Sequence, residues 1–204
     1  MGIMQPSPDT QQRILDTARE LFFSRSYADI GVAAICEQAG VKKGSFYHFY
    51  PSKQALTLAV LDAHYIDLKA KLIDQAFAED VAPMARLQRF SELAYQFQKQ
   101  ISNATGHVLG CPFGNLSTEL STQDEEIRLR IAQVFKNLQR LIAGVLRQAQ
   151  QQATLASDVD CDATAQAILA YFEGVLLLAK NQNDAEVIRT LLPAAAQIRI
   201  TQGQ

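Results

Sequence analysis

Two short stretches hold residue types that could do chemistry. The first is VKKGSFYHFYPSK, Val41 to Lys53. It packs three lysines, a histidine and four aromatic rings into thirteen residues, with no acid among them. No Asp or Glu occurs between Glu37 and Asp62. Cations and hydrogen-bond donors without nearby acids suit a polyanion, because phosphates attract them and a carboxylate would repel the same phosphates. Lys42, Lys43 and Lys53 supply charge, and Ser45, Tyr47 and His48 supply donors. The second stretch is HVLGCPFGNLSTEL, His107 to Leu120. Proline favours the first position of a helix, which puts Cys111 at the N-cap, where free N–H groups favour thiolate. Between Arg86 and Glu119 the only acid is Glu92, while Lys99 and His107 lie upstream. Cys111 is therefore expected to be the most reactive of the three thiols. Cys161 is flanked by Asp160 and Asp162, which disfavour its thiolate, and Cys36 is expected to be inert core.

Each stretch also has a plainer reading. A lysine-rich segment can be a solvated face and its rings can be core. Cys111 can be a small buried residue in a tight turn. A third chemistry pairs Cys111 as nucleophile with His107 as base. Their spacing of four fits one helix face, but Gly110 and Pro112 break that helix and no third orienting residue is evident.

The bulk composition narrows the classes. A chain of 204 residues, 48% of them hydrophobic, can bury a sizeable core in one domain or two small ones. Net charge is −2 and the pI is about 5.9, so nucleic acid must be met by a local patch. Three scattered cysteines and three histidines argue against a disulfide framework and a structural zinc site. No metal or cofactor is expected, and no phosphate-binding glycine motif is present. No apolar run approaches the roughly 18 residues of a membrane span. The N-terminus, MGIMQPSPDTQQR, lacks the layout of a signal peptide. A cytoplasmic protein with no membrane partner is expected.

The elements that must position these residues are helices. Ile14, Ala18, Leu21 and Phe22 set a helical period from Asp9 to about Ser24. Ile30 to Gln38 carries Val32, Ile35 and Cys36 on one face and ends at Ala39-Gly40, where a left-handed residue is needed. Gly44 to Tyr50 follows and stops at Pro51. Ser52 caps a long helix with Leu58, Leu61, Tyr65, Leu68 and Leu72 at helical spacing. Further helices are predicted from Pro83 to about Asn103, Asp124 to about Gln151, Cys161 to Lys180 and Asp184 to about Thr201. In the Asp124 helix, Ile127, Ile131, Val134, Leu138, Leu141 and Val145 form a stripe. Pro193 is expected to kink or shorten the last helix.

Two short helices joined by an Ala-Gly-Val turn outline a helix-turn-helix, the first bracing and the second entering the DNA major groove. Phe46 and Phe49 are expected in its core, with Tyr47 outward. The segment IGVAAICEQAGVKKGSFYHFYPSKQAL resembles the DNA-binding module of TetR family transcriptional regulators. The likeness covers roughly residues 10 to 60 and includes Ile35, Ala39-Gly40-Val41, Gly44-Ser45-Phe46-Tyr47, Phe49, Lys53 and Leu56. It implies an all-α fold: a three-helix helix-turn-helix domain, 1–55, and a helical effector-binding and dimerisation domain, 56–204. It also implies a homodimer formed by the last two long helices, a palindromic double-stranded DNA operator and a small-molecule effector. Lys43, Ser45, Tyr47, His48 and Lys53 match positions that commonly meet DNA. Two positions depart from the pattern. Gly31 stands where the family often has a capping Ser or Thr, and touches phosphate only through its backbone N–H. Lys42 stands where the family often has Ser, losing a cap and adding charge.

The C-terminal part reads mainly from physics. Cys161 to Lys180 is apolar nearly all round, as is the last helix, so one face can meet the core and another a partner. Gly-Cys-Pro-Phe-Gly-Asn-Leu resembles a segment of a TetR subgroup that includes electrophile sensors and regulators responding to acrylate-type compounds. In the electrophile sensors this cysteine is the reactive one, and a lysine late in the second-to-last helix can lie near it; Lys180 matches that lysine. Two effector readings stay open. Either Cys111, with His107 and Lys180 nearby, is an electrophile or oxidant switch, or a ligand binds noncovalently in an apolar pocket lined by Phe90, Phe97, Phe113, Phe135 and Phe172. An adaptor that uses the helix-turn-helix for protein contacts is the remaining class, and it would not require the lysines and Tyr47.

Overall fold

The computed structural model describes residues 8–201. The first seven residues, part of the stretch read above for a signal peptide, lie outside the described residues. The described chain is helices joined by short turns and loops, with one antiparallel bridge between Val159 and Thr201. By its contacts it divides into two compact units. One comprises residues up to Ile66 together with Asn115–Ile131, and the other Asp67–Gly114 with Ala132–Gln204. The packing boundary thus falls later than 55/56, and a later segment returns to the N-terminal unit.

In the N-terminal unit, α1 (Pro8–Ser24) buries Ile14, Ala18, Leu21 and Phe22, the period read from the sequence. Helix α2 (Val32–Gln38) and α3 (Lys43–Phe49) add Ile35, Cys36 and Phe46 to the same core, and α4 (Lys53–Leu68) adds Leu56 and Val60. The end of α2 follows from one glycine. Gly40 has φ +64, its N–H donates to the Glu37 carbonyl (3.1 Å), and the Val41 N–H donates to the Cys36 carbonyl (2.9 Å). That pair of bonds is the left-handed helix stop that a residue with Cβ resists. Ser52 caps α4, its Oγ accepting from the Ala55 N–H at 3.0 Å. The buried face of α4 is Leu56, Thr57, Val60, Leu61 and His64. Of the expected row, Leu61 and Leu72 are buried, while Leu58, Tyr65 and Leu68 are only half-buried. A π-helical turn, Lys69–Ile73, and the short α5 (Asp74–Ala76) follow.

In the C-terminal unit, α6 (Pro83–Thr105) starts on a proline and stops at Gly106, φ 78. Helix α7 (Pro112–Leu120) and α8 (Glu125–Gln151) each contribute residues to both units. Helix α9 (Cys161–Gln182) is capped by Asp160, whose carboxylate accepts from the Asp162 and Ala163 N–H groups. One core cluster joins Leu87, Ile142, Leu146, Ala149, Ala165, Ile168 and Ala195. Leu141, placed in the buried stripe by periodicity, is 36% exposed, and Ile142 takes the inner position instead.

Two expectations need correction. Helix α9 is long and apolar enough to cross a membrane by length and composition. Scattered polar residues hid this in the sequence, and here the helix buries Ile168, Leu169, Phe172, Val175, Leu176 and Ala179 as core. The last helix is also shorter than 184–201. Helix α10 spans only Glu186–Leu191, followed by a 3-10 turn, Leu192–Gln197, with Pro193 in its first positions. Proline has no N–H to continue the α-helical ladder.

Candidate nucleic-acid interface and Cys111 site

The helix-turn-helix sorts its residues by face. Phe46 is fully buried and Tyr50 nearly so, while Phe49 is half-buried against the same core. Lys42, Lys43, Tyr47 and His48 are exposed together on α3 and its N-cap, Tyr47 at 54%, with Ser45 half-buried beside them. Lys42 is the N-cap of α3 and makes no side-chain cap; its carbonyl accepts from the Ser45 and Phe46 N–H groups at 3.0 and 3.2 Å. Its ammonium therefore stays on the surface. Gly31 is the N-cap of α2 in an extended conformation, φ −86, again without a side-chain cap. Nothing lies within 4 Å of where its Cβ would stand.

Lys53 is placed differently. It is half-buried at the start of α4, and its Nζ donates to the Tyr27 carbonyl at 2.5 Å. The ammonium also stands 3.5 Å from the centre of the Tyr27 ring. Burial lowers its pKa, offset in part by Glu119.

Cys111 takes the N-cap position expected of it. Its Sγ accepts from the Gly114 N–H at 3.4 Å, one turn into α7. The preceding loop is tied on both sides. Gln98 is buried and pairs with both backbone groups of Gly110, donating to its carbonyl at 2.9 Å and accepting from its N–H at 3.3 Å. Asn183, the left-handed cap of α9, accepts from the Val108 N–H (2.9 Å) and donates to the Gly106 carbonyl (3.1 Å). Gly110 itself has φ +69, and a Cβ there would stand 3.3 Å from the Lys180 side chain and 3.4 Å from the Leu176 carbonyl.

The expected electrostatics of Cys111 are overturned. Its pKa lies well above the ordinary thiol value, first because of burial and then because of the Glu173 charge. The Gly114 and Phe113 N–H groups act in the opposite sense and do not win. Glu173 comes from α9, so the acid that matters is 62 positions away in sequence and close in space. Burial pushes the Glu173 carboxyl up to about 7, and its hydrogen bond with Cys111 only partly offsets this. A side chain at Gly114 would run into the Glu173 carboxylate, so that glycine keeps the space open. Among the described contacts none joins His107 to Cys111; His107 is exposed, its backbone tied to Thr105. The arrangement gives a thiol hydrogen-bonded to a carboxyl, not a Cys–His nucleophile pair.

Of the five phenylalanines expected around an effector, Phe90 and Phe172 meet, their rings stacked at 4.8 Å. Phe77, not singled out from sequence, tilts against Phe90 at 5.3 Å. Phe113 is buried, and Phe97 and Phe135 are half-buried. Elsewhere in this unit Val81, Ala85, Arg89, Glu92, Ile188 and Pro193 line an open cleft of about 560 Å³. The thiols of Cys36 and Cys161 are both raised by burial. For Cys161, Asp162 and Asp160 add to the rise and Arg147 opposes it. Among the described residues no cluster of His, Cys, Asp or Glu has the makings of a metal site.

Residues 14–60 match the family described as bacterial regulatory proteins, tetR family, and residues 83–195 match the tetracyclin repressor-like C-terminal domain. The chain is 35% identical to the transcriptional regulator AcuR of Cereibacter sphaeroides over 88% of its own length and 81% of that protein's. It is 26% identical to the transcriptional repressor NemR of Escherichia coli, with 95% of each chain covered. A solved structure of regulatory protein TetR from Rhodobacter sphaeroides superposes with a TM-score of 0.81 at 31% identity, covering 94% of this chain and 99% of that one.

Proposed function

The chain belongs to the TetR family of bacterial transcriptional regulators, and from that premise we propose that it is a homodimeric repressor released from a palindromic operator by a small-molecule effector. The observation that carries the reading is the face of α3. Four polar residues, Lys42, Lys43, Tyr47 and His48, stand exposed, with Ser45 half-buried beside them, on an acid-free segment behind a glycine turn. Lysine and hydroxyl groups there suit phosphates, and Lys43 and His48 suit base edges.

The dimer reading draws on apolar side chains that the single chain leaves in water. Leu177 and Leu178 on α9 are 64% and 46% exposed, and Leu191 on α10 is 37% exposed. Exposed leucines on adjacent helices suit a two-fold packed partner.

For the effector, the raised thiol pKa of Cys111 favours a noncovalent ligand over a thiol switch, because the thiolate is the nucleophile. Cys111, Phe113 and the Phe90–Phe172 pair are then wall residues. The thiol switch stands as the second reading, resting on the N-cap geometry of Cys111 and the resemblance of its segment.

Gel-shift titration over a random operator library tests the first part. A preferred palindrome is expected, with binding that weakens steeply with salt. Lys43→Ala and His48→Ala are expected to alter the preferred sequence, and no preferred sequence at moderate salt would defeat the repressor reading. Mass spectrometry after limited N-ethylmaleimide treatment tests the second. An unmodified Cys111, or a Cys111→Ser variant that responds like wild type, would leave only the noncovalent ligand.

A further inference from the structure

The turn between α1 and α2 is held by a side chain far along the sequence. Glu119, in the last turn of α7, accepts from the Tyr27 N–H at 3.0 Å and the Ala28 N–H at 3.1 Å, and from the Ser26 hydroxyl. One carboxylate thus ties three consecutive residues. On the other side of Tyr27, its carbonyl accepts from Lys53 Nζ at 2.5 Å and from the Ile30 N–H at 3.2 Å. Tyr27 stands between an anion and a cation, its ring under the same ammonium. Gly31 and α2 follow directly. All of these residues belong to the N-terminal unit.

We propose that Glu119 is a positioning residue for operator binding: it clamps the Ser26–Ala28 turn and, through Tyr27, sets where the Lys53 ammonium stands. The proposal rests on the DNA-binding reading above. A helix cap or a loop tie needs no charge balance, yet here the carboxylate and the ammonium are paired across one residue. Burial pushes the Glu119 carboxyl up, but Ser26, Ala28, Tyr27 and Lys53 outweigh it, so the group is held ionised. The clamp ties the entry to α2 and the start of α4 to the same residue, and these flank the recognition helix on both sides.

Operator binding by the full-length protein tests this, measured as affinity against salt concentration for wild type, Glu119→Gln, Lys53→Ala and the double variant. Glutamine keeps the shape but loses the charge and sets an NH₂ group among N–H donors. Glu119→Gln is expected to weaken binding about tenfold for all operator sequences alike, with a salt slope shallower by about one, as for one lost phosphate contact. Lys53→Ala is expected to do the same, and the double variant to lose no more than either alone. Ser26→Ala removes a single bond, keeps the fold and is expected to show a loss of about threefold. Val60→Ala, which trims the same core elsewhere, should lower Tm and leave operator affinity unchanged. Additive losses in the double variant would overturn the proposal. So would wild-type affinity in Glu119→Gln, whatever its Tm. If wild type itself binds no operator, the DNA-binding reading fails and takes this one with it.

Discussion

Replacing Glu173 by Gln changes how stability depends on pH, and the size of the change can be worked from the site. The carboxyl titrates at about 7 in the folded protein and near its ordinary 4.5 when unfolded. Between those values the folded state holds a proton that the unfolded state has released. The proton then favours the fold at low pH, and stability falls as pH rises from about 4.5 through about 7. At about 1.4 kcal/mol per pH unit the full loss is up to about 3 kcal/mol. Glutamine mimics the protonated carboxyl and removes the titration. It fits the space that Gly114 leaves, because its shape is that of the acid. Urea unfolding at pH 5 and pH 8 is the assay. The difference in stability between the two pH values is expected to be larger in wild type than in Glu173→Gln by about 2–3 kcal/mol. The variant should also let Cys111 react faster with N-ethylmaleimide at pH 8, since the charge that raises its pKa is gone. Parallel pH profiles for the two proteins would refute the buried-carboxyl account. An unchanged thiol rate would refute the coupling to Cys111.

Three other changes test separate parts of the structure. Gly31→Ser adds a side-chain cap to α2 at a position with room and a compatible φ; thermal unfolding should show a gain of roughly 0.5–1 kcal/mol, and a loss would show the cap geometry to be wrong. Gly110→Ala meets a left-handed φ and the Leu176 carbonyl together, so urea unfolding should show a cost of about 1–2 kcal/mol. Leu178→Asp places a charge on the exposed apolar face of α9; sedimentation at micromolar concentration should show the dimer weakened by several kcal/mol, whereas a monomeric wild type or an unaffected dimer would remove that face from the interface.

What could be read from the sequence was short in range. Gly40, Ser52, Phe46 and the Cys111 cap each act within about four residues, so their types and spacing carry the geometry directly. Longer reach was lost. Glu173 lies 62 positions from Cys111, and Glu119 lies 93 from Ser26. Nothing in the local pattern marks either pair, so Cys111 was read as free of acids. Periodicity also states that a helix has a buried stripe without fixing its rotation. Leu141 and Ile142 exchange roles, and the inner face of α4 keeps Leu61 but takes Val60 and His64 in place of Leu58 and Tyr65. The apolar circumference of α9 was legible as two burial demands. Only the structure separates the core side from the side with Leu177 and Leu178. The DNA-facing assignments of Lys42, Lys43, Tyr47 and His48 agree with their exposure, and Ser45 is half-buried; exposure is a necessary condition and leaves their role to the binding assays.

The return of residues 115–131 to the N-terminal unit bears on how such proteins can be recombined. Glu119 ties the Ser26–Ala28 turn, Asp124 accepts from the Gln54 amide at 3.0 Å, and Arg130 pairs with Asp62. A chimera that exchanges only the first 55 or so residues with another regulator leaves two of these anchors, Glu119 and Asp124, on the wrong side of the junction, while Arg130 and Asp62 stay together. The imported reading head would arrive with its turn untied and with foreign partners for Gln54. Swapping operator specificity by grafting should therefore succeed best when the segment around Glu119 and Asp124 travels with the graft. In lineages that shuffle reading heads, residues at these positions would have to change in step with the turn they hold.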